Sequence, residues 1–489
     1  MAKTFIWRPV ERTGPVVVYA LLFVATLAAF YSCLQLGYGT AWNMVAVAVG
    51  AAALIAFCKW PILMFAGLVF VGEYKTIPAE GISLSDPTML VFLLCCGAIA
   101  MVWVRGLVST DAEWSLGYLF AGQAFRVSLF LLFLAMLAIS FLYTPAEQYG
   151  RTKLIRFVTF ESVAFFGPIL LLKNEKTLRL LLWAMIILSF PLLARQVMSV
   201  SHPSLQILLG DVDVTKIANG VMFGTAILIA IYAGLIRSRM LFTFILVLMA
   251  VGLVTAAART PALALALTLI ISSVVMGTGA RYLRLRTILP ILLIIVVAVF
   301  TFSWIRNKPG MHDKLASKED EFLSMASGST ETHGTMERRL EFYRSAGVAL
   351  MEHPLTGLGL GGWSVFYTGE RIEGRPIPVY PHNMILEVAS EQGLPGLVLL
   401  LALLWSLFKS ARRLAKYPQL AFLFPVLTFQ VLSHVFTGTI EDRGLWFWFG
   451  MVIAASRMVR NAEMPYRTLQ TQPAIGGYRR TQPPYRAFG

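Results

Sequence analysis

Charged side chains are what this sequence has least of: Asp, Glu, Lys and Arg make up 14% of its 489 residues, while hydrophobic residues make up 57%. An ordinary soluble domain is about a quarter charged and about 45 to 50% apolar. With a mean hydropathy of +0.71, a water-soluble globular chain is excluded. Acidic residues are the scarcer sign, 26 against 41 basic, for a net charge of +15. Such an excess raises the question of nucleic acid, but the positive charges are mostly clustered in short loops between apolar runs. That is the pattern of cytoplasmic loops facing anionic lipid headgroups, so no nucleic-acid partner is expected. Cysteine is sparse too. Cys33, Cys58, Cys95 and Cys96 all lie in apolar segments without metal-site spacing, so neither a disulfide nor zinc is expected. His312, His333, His353 and His434 are scattered, and no Ser, His and Asp arrangement stands out. No cofactor is expected.

Long apolar runs are what the chain has in abundance. A spanning helix takes roughly 20 apolar residues, and on that rule the sequence predicts an all-α integral membrane protein with about 12 to 14 transmembrane helices. Their expected starts lie near residues 14, 43, 61, 87, 125, 157, 178, 217, 240, 261, 287, 394, 418 and 444. The first run follows Lys3, Arg8 and Arg12 without a clear small-residue cleavage site, and reads as a transmembrane helix rather than a signal peptide.

Basic residues at the helix ends set the orientation. Alternation from a cytoplasmic N-terminus places Lys59, Arg105, Arg126, Lys173, Lys176, Arg179, Arg237, Arg239, Arg281, Arg284, Arg286, Lys409, Arg412, Arg413 and Lys416 inside. The C-terminus is then inside as well. The expected division is residues 1–216 as N-terminal helices and 217–305 as helices carrying a membrane-edge arginine. Residues 306–393 form one large periplasmic loop, 394–460 the C-terminal helices and 461–489 a disordered basic tail.

The periplasmic loop is the expected place for chemistry. Within it, Met336, Leu340, Tyr343, Ala346 and Leu350 recur at spacings of three and four, predicting an amphipathic helix from Met336 to Glu352 that lies on the bilayer surface. The helix should stop at His353 and Pro354. The glycine-rich run Gly357 to Gly362 lacks the Lys and strand of a phosphate loop, but its unrestricted backbone, at Gly359 and Gly361 in particular, permits close approach to a ligand.

Three groups meet the outer face on this reading. Arg259 sits at an Ala-Arg-Thr-Pro turn, Arg339 in the first turn of the amphipathic helix with Tyr343 beyond it, and His382, followed by Asn383, at a helix start. Two guanidinium forks suit a diphosphate, and histidine suits a general base near neutrality. Arg151, Lys153, Arg156 and Arg195 fall on the outer side, where positive charge is disfavoured. They read as a basic rim for an anionic head on a long hydrocarbon tail. Each feature also has a plainer reading: an arginine that snorkels, a histidine that caps a helix. Glu387 and Glu391, one helical turn apart, read as a solvated helix face, with a carboxylate pair as the alternative.

The run His382, Asn383, nine residues, Gly393, two residues, Gly396 resembles the signature of the bacterial O-antigen ligase and polymerase superfamily. His353 to Trp363 is similar to the segment that precedes that histidine. Arg339 to Tyr343 is similar to the family's Arg with an aromatic four residues on, and Ala258-Arg259-Thr260 to its membrane-edge arginine, with Ala where Ser is common. The matches run in order from Val251 to Gly396. The resemblance implies a glycosyltransferase of the inner membrane that moves a glycan from undecaprenyl diphosphate to an acceptor glycan or lipid A core on the periplasmic face, inverting and without a metal. It implies His382 as the group that deprotonates or orients the acceptor hydroxyl, and Arg259 and Arg339 as ligands of the diphosphate. A polymerase of O-antigen or exopolysaccharide repeat units remains the first alternative, and a transporter of lipid-linked glycan the second.

Overall fold

The computed structural model describes residues 60–74, 87–108, 122–201, 212–256, 259–276, 335–369 and 379–471. Among these residues every regular element is a helix and no strand occurs. In chain order they are α1 (Leu63–Phe70), α2 (Pro87–Val108), α3 (Ala124–Phe141), α4 (Glu147–Leu171), α5 (Glu175–Ser201), α6 (Val212–Tyr232) and α7 (Arg239–Thr255). There follow α8 (Arg259–Val275), α9 (Thr335–Glu352), α10 (Gly362–Thr368), α11 (Met384–Leu414), α12 (Leu423–Phe436) and α13 (Arg443–Thr471). Of the fourteen expected starts, those near 14, 43 and 287 lie outside the described residues, and the other eleven lie in a helix or within five residues of one. Four helices, α3, α4, α11 and α5 to Val197, are long and apolar enough to cross a membrane. Shorter apolar stretches of 10–17 residues are Leu63–Glu73, Thr88–Val104 within α2, Lys216–Tyr232 within α6, and α7, α8 and α12.

The core is sealed by aromatic rings from three helices. Phe130 of α3 stacks on Phe165 of α4 with centroids 4.0 Å apart, and Trp446 of α13 stands edge-on to Phe157 at 4.9 Å. Lipid tails are as apolar as these rings, so close packing rather than hydrophobic exclusion holds such helices together. Gly450 of α13 shows how close: a Cβ there would lie 2.1 Å from the Phe165 carbonyl oxygen. Arg457 then donates to the Ile169 and Leu172 carbonyls at 2.6 and 2.7 Å, satisfying acceptors left open where α4 ends. The helix α13 runs on to Thr471, past the boundary expected at residue 460.

The element that positions the site is α11. Its expected start at residue 394 marks a kink inside it: the helix begins at Met384 and breaks at Gly393, whose φ of 66° and ψ of −164° are open only to glycine. Leu394 N–H is satisfied across the break by the Pro354 carbonyl at 2.7 Å, and Pro395 suits the first turn of the resumed helix because it has no N–H to lose. Beside the kink the loop after α9 lies against the α11 backbone. Leu358 and Gly359 N–H donate to the Ser390 and Glu391 carbonyls, each at 2.9 Å. Gly357, with a φ of 65°, makes this approach possible, since a Cβ there would lie 2.4 Å from the Glu391 carbonyl. Gly393→Ala should therefore destabilise the fold by about 1 to 3 kcal/mol from backbone strain alone, and more from its clash with the Pro354 oxygen at 2.7 Å. A detergent-unfolding titration with an unchanged midpoint would contradict this account of the kink.

The helix expected from Met336 to Glu352 is present as α9, but its buried stripe differs from the one expected. Phe342, Ala346 and Ala349 are buried against Trp363, whereas Leu340 is 58% exposed. The reason is α10, which the sequence pattern did not announce. Its Trp363 and Tyr367 rings meet Phe342 edge-on at 5.6 and 4.9 Å, turning that face of α9 toward protein.

Candidate functional site

His382 sits one residue before the cap of α11 in an unusual backbone state, φ 54°, among the described residues the one non-glycine with positive φ. Such a conformation costs on the order of 1 kcal/mol and survives where neighbours hold it. Here they are rings: Phe342 stacks on the imidazole at a centroid distance of 5.9 Å and Tyr380 packs at 4.3 Å. Nδ1 is buried with no partner among the described residues. With the proton on Nε2, that nitrogen presents a lone pair and can accept a proton.

Burial lowers the His382 pKa below the ordinary histidine value, and the nearby guanidinium of Arg339 lowers it further, with the Thr437 backbone and Glu387 opposing. Both main causes disfavour the imidazolium, so the ring is neutral at neutral pH. Tyr380 is pushed the other way: burial, then the charges of Glu387 and Glu441, raise its phenol to about 12. It therefore keeps its proton.

The structure brings Arg339 into electrostatic reach of His382 and places Arg259 exposed at the first residue of α8. Tyr343 packs at the edge of the Phe342 and Trp363 cluster. Arg338 lies over the Phe342 ring at 5.9 Å, a cation–π contact. The Asn383 side-chain oxygen, expected among ligand-binding groups, caps α11: it accepts from Ile385 and Leu386 N–H at 2.9 and 3.1 Å. The amide of Asn383 thus fixes the start of the helix that follows His382.

Three further expectations are corrected. Gly359 and Gly361 are buried against protein, not open to a ligand: added Cβ atoms would meet the Thr144 Cα at 2.6 Å and the Tyr149 ring at 2.8 Å. Their freedom serves packing between loop and helix. Lys153, expected on an exposed basic rim, is fully buried and hydrogen-bonded to Glu387 at 2.5 Å and to both Glu391 oxygens at 2.8 and 2.9 Å. A bare ammonium cannot enter that interior, so it is matched by carboxylates. Glu387 and Glu391, read as a solvated face, are the buried partners. Glu387 also accepts from Thr439 Oγ1 at 2.8 Å and Ile440 N–H at 2.9 Å. This ties α4, α11 and the turn before α13 into one polar network directly behind His382.

The rest of the basic rim is divided. Arg156 pairs with Glu441 at 3.2 Å and stays 52% exposed, Arg151 is exposed, and Arg195 donates to the Glu73 carbonyl. Sequence reasoning missed the segment Thr437 to Asp442. It supplies Glu441 as well as Asp442, whose Oδ2 lies 3.2 Å from His434 Nε2. The signal was a pair of acids in a short turn between two apolar runs. Among the described residues no group of His, Cys, Asp and Glu is arranged to hold a metal ion.

Residues 244–401 match the protein family described as O-Antigen ligase. The match takes in α8, the amphipathic α9, the glycine-rich loop, His382 and the kink of α11. No match was found among curated proteins.

Proposed function

Because residues 244–401 match the O-Antigen ligase family, we propose that this integral membrane protein transfers a glycan from undecaprenyl diphosphate to an acceptor sugar hydroxyl on the periplasmic face of the inner membrane. The observation that carries the reading is Nδ1 of His382: buried, unpartnered among the described residues and beside a positive charge. In this step the His382 imidazole takes the proton of the acceptor hydroxyl. The acceptor oxygen bonds to the anomeric carbon, the bond from that carbon to the diphosphate oxygen breaks, and undecaprenyl diphosphate leaves with the electron pair. Attack opposite the leaving group inverts the anomeric centre. Arg339 and Arg259 bind the diphosphate and stabilise the charge that grows on it. Arg151, Arg156 and Arg195 extend the positive field along the donor, and Tyr343 flanks it. Lys153 acts at one remove, as a positioning residue for the start of α11. The reaction as proposed uses no metal.

A repeat-unit polymerase would share this donor chemistry and differ in its acceptor. The test is therefore transfer by the purified full-length protein from an undecaprenyl-diphosphate glycan, with chelator present, to lipid A core and to repeat-unit acceptors in parallel. Elongated lipid A core is the expected product. Donor binding without transfer to either acceptor would replace the enzyme by a lipid-glycan transporter.

The electrostatics give a prediction with a definite sign. Arg339 holds the His382 pKa down, so Arg339→Gln should raise it and move the acid limb of the kcat/KM profile to higher pH, besides raising KM for the donor. An acid limb that stays in place would separate Arg339 from His382.

A further inference from the structure

The helices α3, α11 and α13 also meet at the end of α11 away from His382. There they line a half-open cavity of about 400 Å³ with Arg126, Arg413, Lys416, Arg460, Ser410 and Ser456, and no acidic residue in its wall among the described residues. Ser390, beside the site, and Ser410, in the cavity, are 20 residues apart on α11, roughly 30 Å at 1.5 Å per residue. The cavity is thus a separate site, at the end that the basic loops assign to the cytoplasm.

Among the described residues its charges have no acidic counterpart. Arg126 is fixed in place, donating from Nε to Ser406 Oγ at 3.0 Å and from Nη1 to Gln123 Oε1. Arg413 stands close enough for its charge to act on Arg126. Among the described residues none of the four cations has a carboxylate partner. Arg460 is folded over Gly122, so tightly that a Cβ there would overlap its guanidinium, and Gly122 holds a φ of 66°. Four like charges around one cavity repel, and an anion in their midst relieves that repulsion.

The surroundings point to a lipid as its bearer. Phe125, next to Arg126, is 68% exposed, and Trp405, next to the Ser406 that anchors Arg126, is 74% exposed. Aromatic residues of this kind belong at the membrane interface, at headgroup level. Basic pockets between helices on the cytoplasmic side take phosphate-bearing headgroups, and about 400 Å³ is ample for one.

We propose that the pocket between α3, α11 and α13 binds the phosphate group of an anionic phospholipid of the cytoplasmic leaflet, held by Arg126, Arg413, Lys416 and Arg460. The site is independent of the proposed transfer reaction and stands whether or not that reaction is correct.

Native mass spectrometry of the full-length protein tests it, with phosphatidylglycerol, cardiolipin and phosphatidylcholine titrated in turn. The anionic lipids should bind the wild type, and their affinity should fall roughly 30-fold in R413Q/R460Q, at about fivefold per cation. Phosphatidylcholine binding should not change between the two. R413K/R460K, which keeps the charges, should retain most of the binding and so distinguish lost charge from a misfolded chain. Millimolar inorganic phosphate should leave the bound lipid in place. Complete displacement by phosphate would keep the anion site but overturn the lipid as its source, and equal lipid affinity in wild type and R413Q/R460Q would overturn the site.

Discussion

His382→Ala is expected to lower the rate of glycan transfer by about 10² to 10⁴ while leaving donor binding intact, the range that a general base contributes. On the proposed mechanism the effect should fall on kcat, because the ring would take the acceptor's proton while the arginines hold the donor. Backbone geometry complicates the simplest version of the experiment. His382 holds a φ of 54°, which Ala adopts poorly and Asn several-fold more readily. His382→Asn keeps the turn and removes the base, so its folded yield should exceed that of the Ala variant while its activity is equally low. Either variant transferring glycan at the wild-type rate would remove His382 from the chemistry.

The second large effect lies behind the site. Lys153→Met should destabilise the protein by about 3 to 5 kcal/mol, the usual consequence of leaving buried charge without its partner. Two carboxylates, Glu387 and Glu391, would remain in an interior that has lost its one neutralising ammonium. The change should appear as a lower midpoint in a detergent-unfolding titration. The triple variant K153M/E387Q/E391Q should recover much of the loss, because neutral amides carry a far smaller desolvation cost. Recovery in the triple variant is what a purely steric role for Lys153 would not produce. An unchanged midpoint in Lys153→Met would show that the network contributes nothing net.

Helix positions were legible in the sequence wherever long apolar runs ended at basic or proline-marked turns. All eleven expected starts within the described residues fall in or near a helix, though those near 157 and 394 lie about ten residues inside α4 and α11. The α9 boundaries followed from periodicity and from His353-Pro354, but its buried face did not. Periodicity marks which residues are apolar, whereas the face that packs is chosen by a partner, and the partner was the seven-residue α10. Charge was misread for a related reason. Lys153 and the pair Glu387 and Glu391 are 234 and 238 residues apart, and only tertiary structure brings them together. Seen separately, a lysine outside and two glutamates one turn apart each look solvated. The glycines of the motif illustrate the same limit. Gly357, Gly359 and Gly361 indicated an unrestricted backbone, but what approaches that backbone is the protein's own chain, at Glu391, Thr144 and Tyr149.

His382 and Arg339 lie within electrostatic reach of one another, the arginine's charge acting on the imidazole. Arg259, the third member of the expected set, lies at the start of α8, and its part in binding the donor rests on the proposed reaction.

The central claim is that the protein breaks the bond between glycan and diphosphate, and the most direct measurement is of the leaving group. Purified wild-type protein is incubated with an undecaprenyl-diphosphate glycan and lipid A core, and free undecaprenyl diphosphate is measured by mass spectrometry alongside the glycosylated product. The account predicts release in one-to-one proportion with transfer, with both lost in His382→Asn. Donor bound and returned intact, with no undecaprenyl diphosphate released in the presence of acceptor, would contradict it.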